Sequence, residues 1–208
     1  MAITNFSELK SAIADTLNRS DLTSVIPHFI TLAEANFNRN LRTRQMIARS
    51  DASIDSQYTA LPSDFEEMRS FYLKTNPVTE LKFLPIEDMQ RMKSDYLESV
   101  TGKPKYFSII GDTVEMLPSP DGAYTAELIY HAKIPVLSDS NTTNWLLTSY
   151  PDAYLYGSLI HSAPYLKDDA RISLWDQLLT NVVLSINLAN ERAEFSGGVL
   201  RARVNRSY

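Results

Sequence analysis

The side chains that could support acid–base or metal chemistry are dispersed along this sequence. Its three histidines, His28, His131 and His161, fall in three different predicted elements. None has the two-histidine spacing that would place metal ligands on one helix face. The 208 residues include no cysteine, which excludes thiolate ligands, disulfides and cysteine nucleophiles. We therefore predict no metal site and no cofactor.

Adjacent carboxylates occur at Glu66-Glu67, Glu87-Asp88 and Asp168-Asp169. Each pair falls at the predicted start of a helix, where negative charge is favoured by the helix dipole, and this structural interpretation is preferred over a general acid–base pair. The six glycines form no GxGxxG or P-loop motif, and no GxSxG elbow occurs. We predict that the protein is not an enzyme.

Two stretches are basic and contain no acid. The first contains Arg39, Arg42, Arg44 and Arg49, and the second is the last thirteen residues, with Arg201, Arg203 and Arg206. The first could contact DNA phosphates, pair with acids of a neighbouring subunit, or neutralise a helix C-terminus. Because the whole chain has a net charge of −5, the last two interpretations are favoured over DNA binding.

The N-terminal elements are predicted to be two helices. Phe6, Leu9, Ile13 and Leu17 recur at helical spacing, with Asn5 or Thr4 as the cap. A second apolar stripe runs from Ile26 to Leu41, with Pro27 in its first turn and Thr23 or Ser24 as the cap. The chain therefore opens with a helical hairpin.

The middle of the chain is rich in short β-type runs. Strands are predicted at 58–61, 70–73, 80–84, 105–110, 113–117 and 124–133, and a helix at 85–96. Ser63 and Glu66 form a capping-box pattern that predicts a short helical turn at 64–68. Gly111-Asp112 and Asp121-Gly122 are hairpin signals. These patterns predict an antiparallel β meander with one inserted helix.

The C-terminal part is helical again, with helices predicted at about 150–164 and 169–195. The main apolar stripe of the last helix consists of Ile172, Trp175, Leu179, Val182, Ile186, Ala189 and Ala193. Leu174, Leu184 and Leu188 lie on the opposite side. A helix that is apolar on two faces must bury both, so this second face indicates either subunit packing or a helix enclosed within the monomer.

The fold class is therefore predicted to be α+β, with a helical hairpin and long C-terminal helices around a central antiparallel β meander. The predicted segments are a hairpin at 1–48, a β-rich insertion with one helix at 49–138, and a C-terminal helical part at 139–196 that forms one bundle with 1–48. Gly197-Gly198 stops the last helix and opens the segment 197–208. Its side chains alternate between apolar and basic after Leu200, which predicts an extended arm that reaches a neighbour.

No run of the sequence is apolar enough for a membrane span, and the first residues lack the pattern of a signal peptide. We expect a soluble protein assembled in a reducing cytoplasm.

Four stretches together resemble the head-to-tail adaptor proteins of tailed bacteriophages. They are residues 22–42 (LTSVIPHFITLAEANFNRNLR), 61–73 (LPSDFEEMRSFYL), 102–138 (GKPKYFSIIGDTVEMLPSPDGAYTAELIYHAKIPVLS) and 144–177 (NWLLTSYPDAYLYGSLIHSAPYLKDDARISLWDQ). Each is degenerate by itself, whereas their order and spacing cover most of the chain. The resemblance implies a virion protein of the neck that forms a ring, typically of twelve copies, on the tail-facing side of the portal.

The resemblance also implies partners. Such a ring extends the DNA channel, lets genomic double-stranded DNA pass without sequence-specific binding, and is the platform for tail, nozzle or fibre proteins. The C-terminal segment of these adaptors often contacts the portal or a neighbouring copy. The residues expected to do so here are Val199, Leu200, Arg201, Arg203, Arg206 and Tyr208.

Other functions stay open at this point. A tail terminator is also a ring, usually of six copies. A virion-associated cell-wall hydrolase would need a carboxylate pair in a cleft, with Glu66, Glu67 and Glu87 as the candidates. A DNA-binding regulator is disfavoured by the acidic charge.

Overall fold

The computed structural model describes residues 2–95, 101–166 and 171–195. The chain divides into two compact units, one formed by Met1–Gln45 with Ile134–Tyr208 and the other by Met46–Lys133. Helices build the first unit and strands dominate the second, so the predicted α+β class is confirmed. The β-rich unit begins three residues earlier and ends five residues earlier than the predicted insertion, and the predicted arm lies outside the described residues.

The helical unit opens with α1 (Phe6–Leu17) and α2 (Ile26–Asn40). Asn5 caps α1, as predicted, by accepting the Glu8 backbone N–H at 2.9 Å, while the Glu8 carboxylate accepts from Thr4. The predicted cap of α2 is wrong, since Val25 occupies that position and makes no side-chain hydrogen bond to the helix. Pro27 needs no partner for its nitrogen in the first turn, which makes a side-chain cap less necessary there.

The second half of the helical unit contains α4 (Trp145–Ser149), α5 (Pro151–Leu166) and α6 (Ile172–Phe195). Helix α5 packs against α1, α2, α4 and α6 and lies at the centre of the unit. Ala153, Tyr154, Leu159 and Ala163 are fully buried along it. Because α5 is covered on several sides, it shows no single polar face, as expected for a central helix.

Two four-stranded sheets and α3 (Ile86–Asp95) form the β-rich unit. The first sheet has the order β1-β8-β3-β4 and is antiparallel, and the second has the order β2-β7-β6-β5. In the second sheet β5 pairs with β6 in parallel. The strands are β1 (Ile47–Ile54), β2 (Tyr58–Ala60), β3 (Phe65–Leu73), β4 (Thr79–Glu80), β5 (Lys82–Phe83), β6 (Tyr106–Ile110), β7 (Thr113–Leu117) and β8 (Tyr124–Ala132).

The core of this unit lies between the two sheets. Phe71 of β3 meets Phe107 of β6 edge to face, with ring centroids 5.4 Å apart. Further buried side chains come from both sheets: Ile54, Leu73, Leu81, Val114, Met116, Ala126, Leu128 and Tyr130. Alternating side chains of each strand point inward, so each sheet buries one face against the other.

Three local predictions for this unit fail for the same reason. The predicted helical turn at 64–68 is wrong, because β3 begins at Phe65 and pairs with β8. Strand β1 was not predicted, and it pairs with the other edge of β8 over eight residues. Asp121-Gly122 closes no hairpin, since β7 and β8 belong to different sheets. Strand pairing is decided by distant segments and overrides a local pattern.

Gly111 does close the β6–β7 hairpin, as predicted, and it adopts a φ of 58°. A residue with a β-carbon is disfavoured in this conformation, whereas glycine adopts it readily.

Across the described ranges, none of the helices combines the length and the apolar character that crossing a membrane requires.

Candidate functional site

The most prominent surface feature of the helical unit is an exposed leucine face on α6. Leu174, Leu184 and Leu188 are 54, 55 and 52% exposed. On the other side of the same helix Trp175, Leu179, Val182 and Ile186 are buried. The main stripe thus supplies the packing against the rest of the unit, while Ala189 at its end is exposed. The three leucines remain in contact with solvent in a single chain.

Leucine side chains in this arrangement are suited to protein contact. Isolated apolar residues are common on surfaces, but here three occur along four turns of one helix, with Asn181 between them. The sequence left two interpretations of this face open, subunit packing and enclosure within the monomer. In the described residues the three leucines are not enclosed within the monomer.

Of the four arginines of the first basic stretch, Arg39, Arg42 and Arg44 belong to the helical unit and Arg49 belongs to the β-rich unit. Arg39 is exposed in the last turn of α2, and Arg42 donates to the backbone oxygens of Asn38 and Leu41 at 2.6 and 2.7 Å. Arg42 therefore neutralises the C-terminal end of α2, one of the interpretations weighed for this stretch. Arg49 belongs to β1 of the other unit and pairs with Glu127 at 3.4 Å.

Arg44 holds the end of α2 against α6. Its backbone N–H donates to Asn190 Oδ1 at 2.8 Å, in the 3-10 turn Arg44–Met46. The contact joins the segment after α2 to the C-terminal part of α6.

The three histidines lie in three different elements of the structure. His28 lies in α2, His131 in β8 and His161 in α5. Within the described ranges no group of three or more histidine and carboxylate side chains is placed to hold a metal ion. Glu87 and Asp88 lie in the first turn of α3, as predicted. Glu66 and Glu67 lie in β3, so their predicted place at a helix start is wrong, and Asp168-Asp169 is outside the described residues.

A buried polar network in the helical unit was not predicted. Glu34 of α2 is 3% exposed, and its Oε1 accepts the Leu137 backbone N–H at 2.8 Å and the Tyr154 hydroxyl at 3.1 Å. Asn144 donates its Nδ2 to the Tyr154 oxygen at 2.6 Å and caps α4 through its Oδ1. The network joins α2, α4, α5 and the segment that follows the β-rich unit.

Burial raises the pKa of the Glu34 carboxyl, while the hydrogen bonds from Leu137 and Tyr154 partly offset that rise. Burial and the neighbouring Glu34 also raise the pKa of Tyr154, which keeps its hydroxyl proton. These groups are enclosed in the core, so they fix the arrangement of helices rather than meet a substrate. One sequence signal could have identified Glu34, namely its position within the apolar stripe between Ile30 and Phe37.

The second buried carboxylate belongs to the β-rich unit. Glu115 of β7 is 1% exposed and forms an ion pair with Lys93 of α3, and Gln57 Nε2 also donates to it at 2.9 Å. This pair attaches α3 to the second sheet, and it too has a structural role. Sequence patterns missed it because Lys93 and Glu115 lie in different elements.

The arm residues Val199, Leu200, Arg201, Arg203, Arg206 and Tyr208 lie outside the described residues.

A family model described as SU10 adaptor protein matches residues 4–203 of the chain. The match runs through both units and includes Arg201 and Arg203, whereas Arg206 and Tyr208 lie beyond it. No curated protein matches the sequence.

Proposed function

The chain belongs to the SU10 adaptor protein family of phage head-to-tail adaptors, and from this membership we propose that it forms a ring beneath the portal. The ring, of twelve copies, extends the DNA channel at the neck of the virion and is the platform on which the tail, nozzle or fibre proteins assemble. The protein acts by binding its neighbours and catalyses no reaction.

The observation that carries this proposal is the exposed leucine face of α6, together with the family match. A ring made of one kind of subunit needs two different contact surfaces, because each copy meets its neighbours head to tail. Leu174, Leu184 and Leu188 would be one such surface. Burying a fully exposed leucine contributes about 1.5–3 kcal/mol, and roughly half of that remains to be gained for each of these half-exposed side chains.

The charge of the chain supports passage of DNA without binding. Twelve copies at −5 each carry roughly −60, and a field of that sign repels a polyanion. A channel that held phosphates tightly would slow the genome during ejection. The first basic stretch does not contradict this, since Arg42 donates to the Asn38 backbone oxygen and Arg49 pairs with Glu127.

The C-terminal arm is proposed as the contact with the portal. The last thirteen residues contain Arg201, Arg203 and Arg206 and no acid, so they contrast with the acidic remainder of the chain. Alternating apolar and basic side chains suit a strand added to the edge of a partner's sheet.

Binding to the purified portal ring of the same phage tests the proposal. The full-length chain is expected to add about one copy per portal subunit, measured by native mass spectrometry and by symmetry in electron micrographs. A chain that ends at Gly198 should bind much more weakly if the arm is the anchor.

Two outcomes would contradict the proposal in different ways. Six-fold assembly on tail components, with no binding to the portal, would replace the adaptor with a tail terminator. Full binding by the truncated chain would leave the adaptor function intact and reject the arm as the portal contact.

A further inference from the structure

We infer that the leucine face of α6 docks on the outer face of α2 in the neighbouring copy, with Glu191 of one subunit meeting Arg39 of the next. The inference rests on the proposed ring and adds its second contact surface, which neither the family match nor the leucine face identifies. The partner is thus a second copy of this chain.

The outer face of α2 has the composition that such a contact needs. His28, Leu32, Ala35 and Arg39 are all exposed and recur at spacings of four, three and four residues, which places them in one row along the helix. Leu32 is 50% exposed. The row combines an apolar middle with a positive charge in the last turn.

The matching row on α6 has the opposite charge at the corresponding end. Leu184, Leu188 and Glu191 are exposed and follow one another at spacings of four and three. Leu184 and Glu191 are seven residues apart, as are Leu32 and Arg39. When the two helices run parallel with Leu184 beside Leu32, Glu191 lies beside Arg39. The leucines then cover one another and the charges attract.

Within one chain, α2 and α6 run in the same direction. Phe29, near the start of α2, contacts Tyr165 at the end of α5, and Phe37 contacts Tyr154 near the start of α5, so these two helices are antiparallel. Helix α6 starts six residues after α5 ends, and its Asn190 bonds to Arg44 just beyond the end of α2. Helix α6 therefore runs in the same direction as α2.

Ring symmetry preserves this direction between subunits. Neighbours in a ring of twelve are related by a rotation of about 30°, so equivalent helices of adjacent copies remain within about 30° of parallel. Helix α6 of one copy and α2 of the next then meet as parallel helices, which is the direction required by the matched rows.

Each row lies on the side of its own helix that faces away from the core of the helical unit. Helix α5 contacts both α2 and α6. Ala33 and Phe37 point from α2 towards Gly157 of α5, and Leu32 lies on the other side of α2. Trp175 and Ile186 are buried on the inner side of α6, away from the leucines. Two different exposed rows on one subunit allow a chain of copies to extend and close.

Disulfide cross-linking tests the pairing directly, because the chain has no cysteine of its own. A chain with both Leu32→Cys and Leu184→Cys, assembled on the portal ring and oxidised, should give a ladder of covalent multimers. A disulfide within one chain needs α-carbons within about 7 Å, and oxidation of the dilute, unassembled double-cysteine chain is the control for it. The matched control carries Ser7→Cys with Leu184→Cys, Ser7 being an exposed residue of α1, and should give no ladder.

Charge reversal provides an independent measurement. Arg39→Glu and Glu191→Arg should each weaken assembly several-fold, since an exposed ion pair contributes up to about a fivefold effect and reversal adds repulsion. The double variant should recover most of the wild-type assembly.

The outcomes separate this inference from the proposed function. If the wild-type chain fills the portal ring but the L32C/L184C chain gives no ladder and the double charge variant is not rescued, the adaptor stands and this contact is rejected. If Leu184→Cys alone gives abundant dimers, the leucine faces meet each other instead, which also rejects it. If the wild-type chain does not bind the portal at all, the proposed function itself fails.

Discussion

The hydroxyl of Tyr154 in α5 donates a hydrogen bond of 3.1 Å to the carboxylate of Glu34 in α2, within the core of the helical unit. No partner within hydrogen-bond distance of the second carboxylate oxygen, Oε2, occurs in the described part of the chain. A buried carboxylate with one unsatisfied oxygen favours its protonated form, which makes this contact sensitive to pH.

Glu34 should make the protein less stable as the pH rises. Its pKa is raised by burial above the usual 4.5, so the folded state holds the proton more tightly than the unfolded state. The stabilisation is fully present below about pH 4.5 and is lost as the pH rises through the folded-state pKa. Glu34→Gln cannot titrate, and we expect its free energy of unfolding to fall less over this window than that of the wild type.

Urea unfolding at a series of pH values measures this difference. Glu80→Gln, which changes an exposed carboxylate, is the matched control for the removal of one carboxylate. Equal slopes for the wild type and Glu34→Gln would show that Glu34 is not the source of the pH dependence.

Gly157 should be intolerant of a side chain. A β-carbon there would lie 2.7 Å from Phe37 Cζ, which is closer than β-carbons approach other atoms, and 3.2 Å from Ala33 Cβ, which is tighter than most such contacts. We expect Gly157→Ala to destabilise the fold by about 1–3 kcal/mol through overpacking, despite the better helix propensity of alanine. Chemical denaturation measures the loss. Combining Gly157→Ala with Phe37→Leu should recover part of it, and additive effects of the two changes would contradict the steric explanation.

Breaking the Lys93–Glu115 pair should cost more than removing both charges. Lys93→Met leaves the buried Glu115 carboxylate without its cation, and we expect a loss of about 3 kcal/mol. The double variant Lys93→Met with Glu115→Gln should lie closer to the wild type, because no buried charge remains. Thermal denaturation of the two single variants and the double variant completes the cycle. A double variant less stable than either single one would reject this account.

The leucine face of α6 should affect assembly and not folding. Leu184→Glu replaces a side chain that is 55% exposed, so we expect its unfolding free energy to change by less than about 0.5 kcal/mol. Assembly on the portal should drop sharply, because a charge would be buried in an apolar contact. Val136→Glu is the matched control, being 58% exposed and outside both rows. Normal assembly by Leu184→Glu, measured by native mass spectrometry, would exclude this face from the ring contact.

Much of the fold could be predicted because local patterns are strong where one face of an element is buried. The bounds of β7 agree with the prediction, and α1 and α2 follow their apolar stripes. The failures cluster in segments whose structure depends on a distant partner. Residues 64–68 have the sequence pattern of a helix start, but residues from Phe65 onward form β3 and pair with β8. The backbone groups along the edge of β8 need hydrogen-bond partners, and β3 provides them.

The candidate site was predictable in part. The second apolar face of α6 is visible in the sequence, since periodicity reports every side of a helix that avoids water. The sequence does not show that Leu174, Leu184 and Leu188 stay exposed in the single chain. Which helix covers a given apolar face depends on how the helices pack in three dimensions. The partner row on α2 was missed for a related reason, namely that one leucine, one alanine and two basic residues do not form an apolar stripe.

The sequence by itself determined the α+β class, most helix and strand positions and the adaptor family, because these follow from residue type and spacing along the chain. Only the tertiary structure decided which strands share a sheet, that Glu34 meets Tyr154 from 120 residues away, and which leucines stay in water. A pattern specifies that a face must be buried and not what buries it. That choice depends on the combined packing of distant segments, whose energies are set by contacts in space.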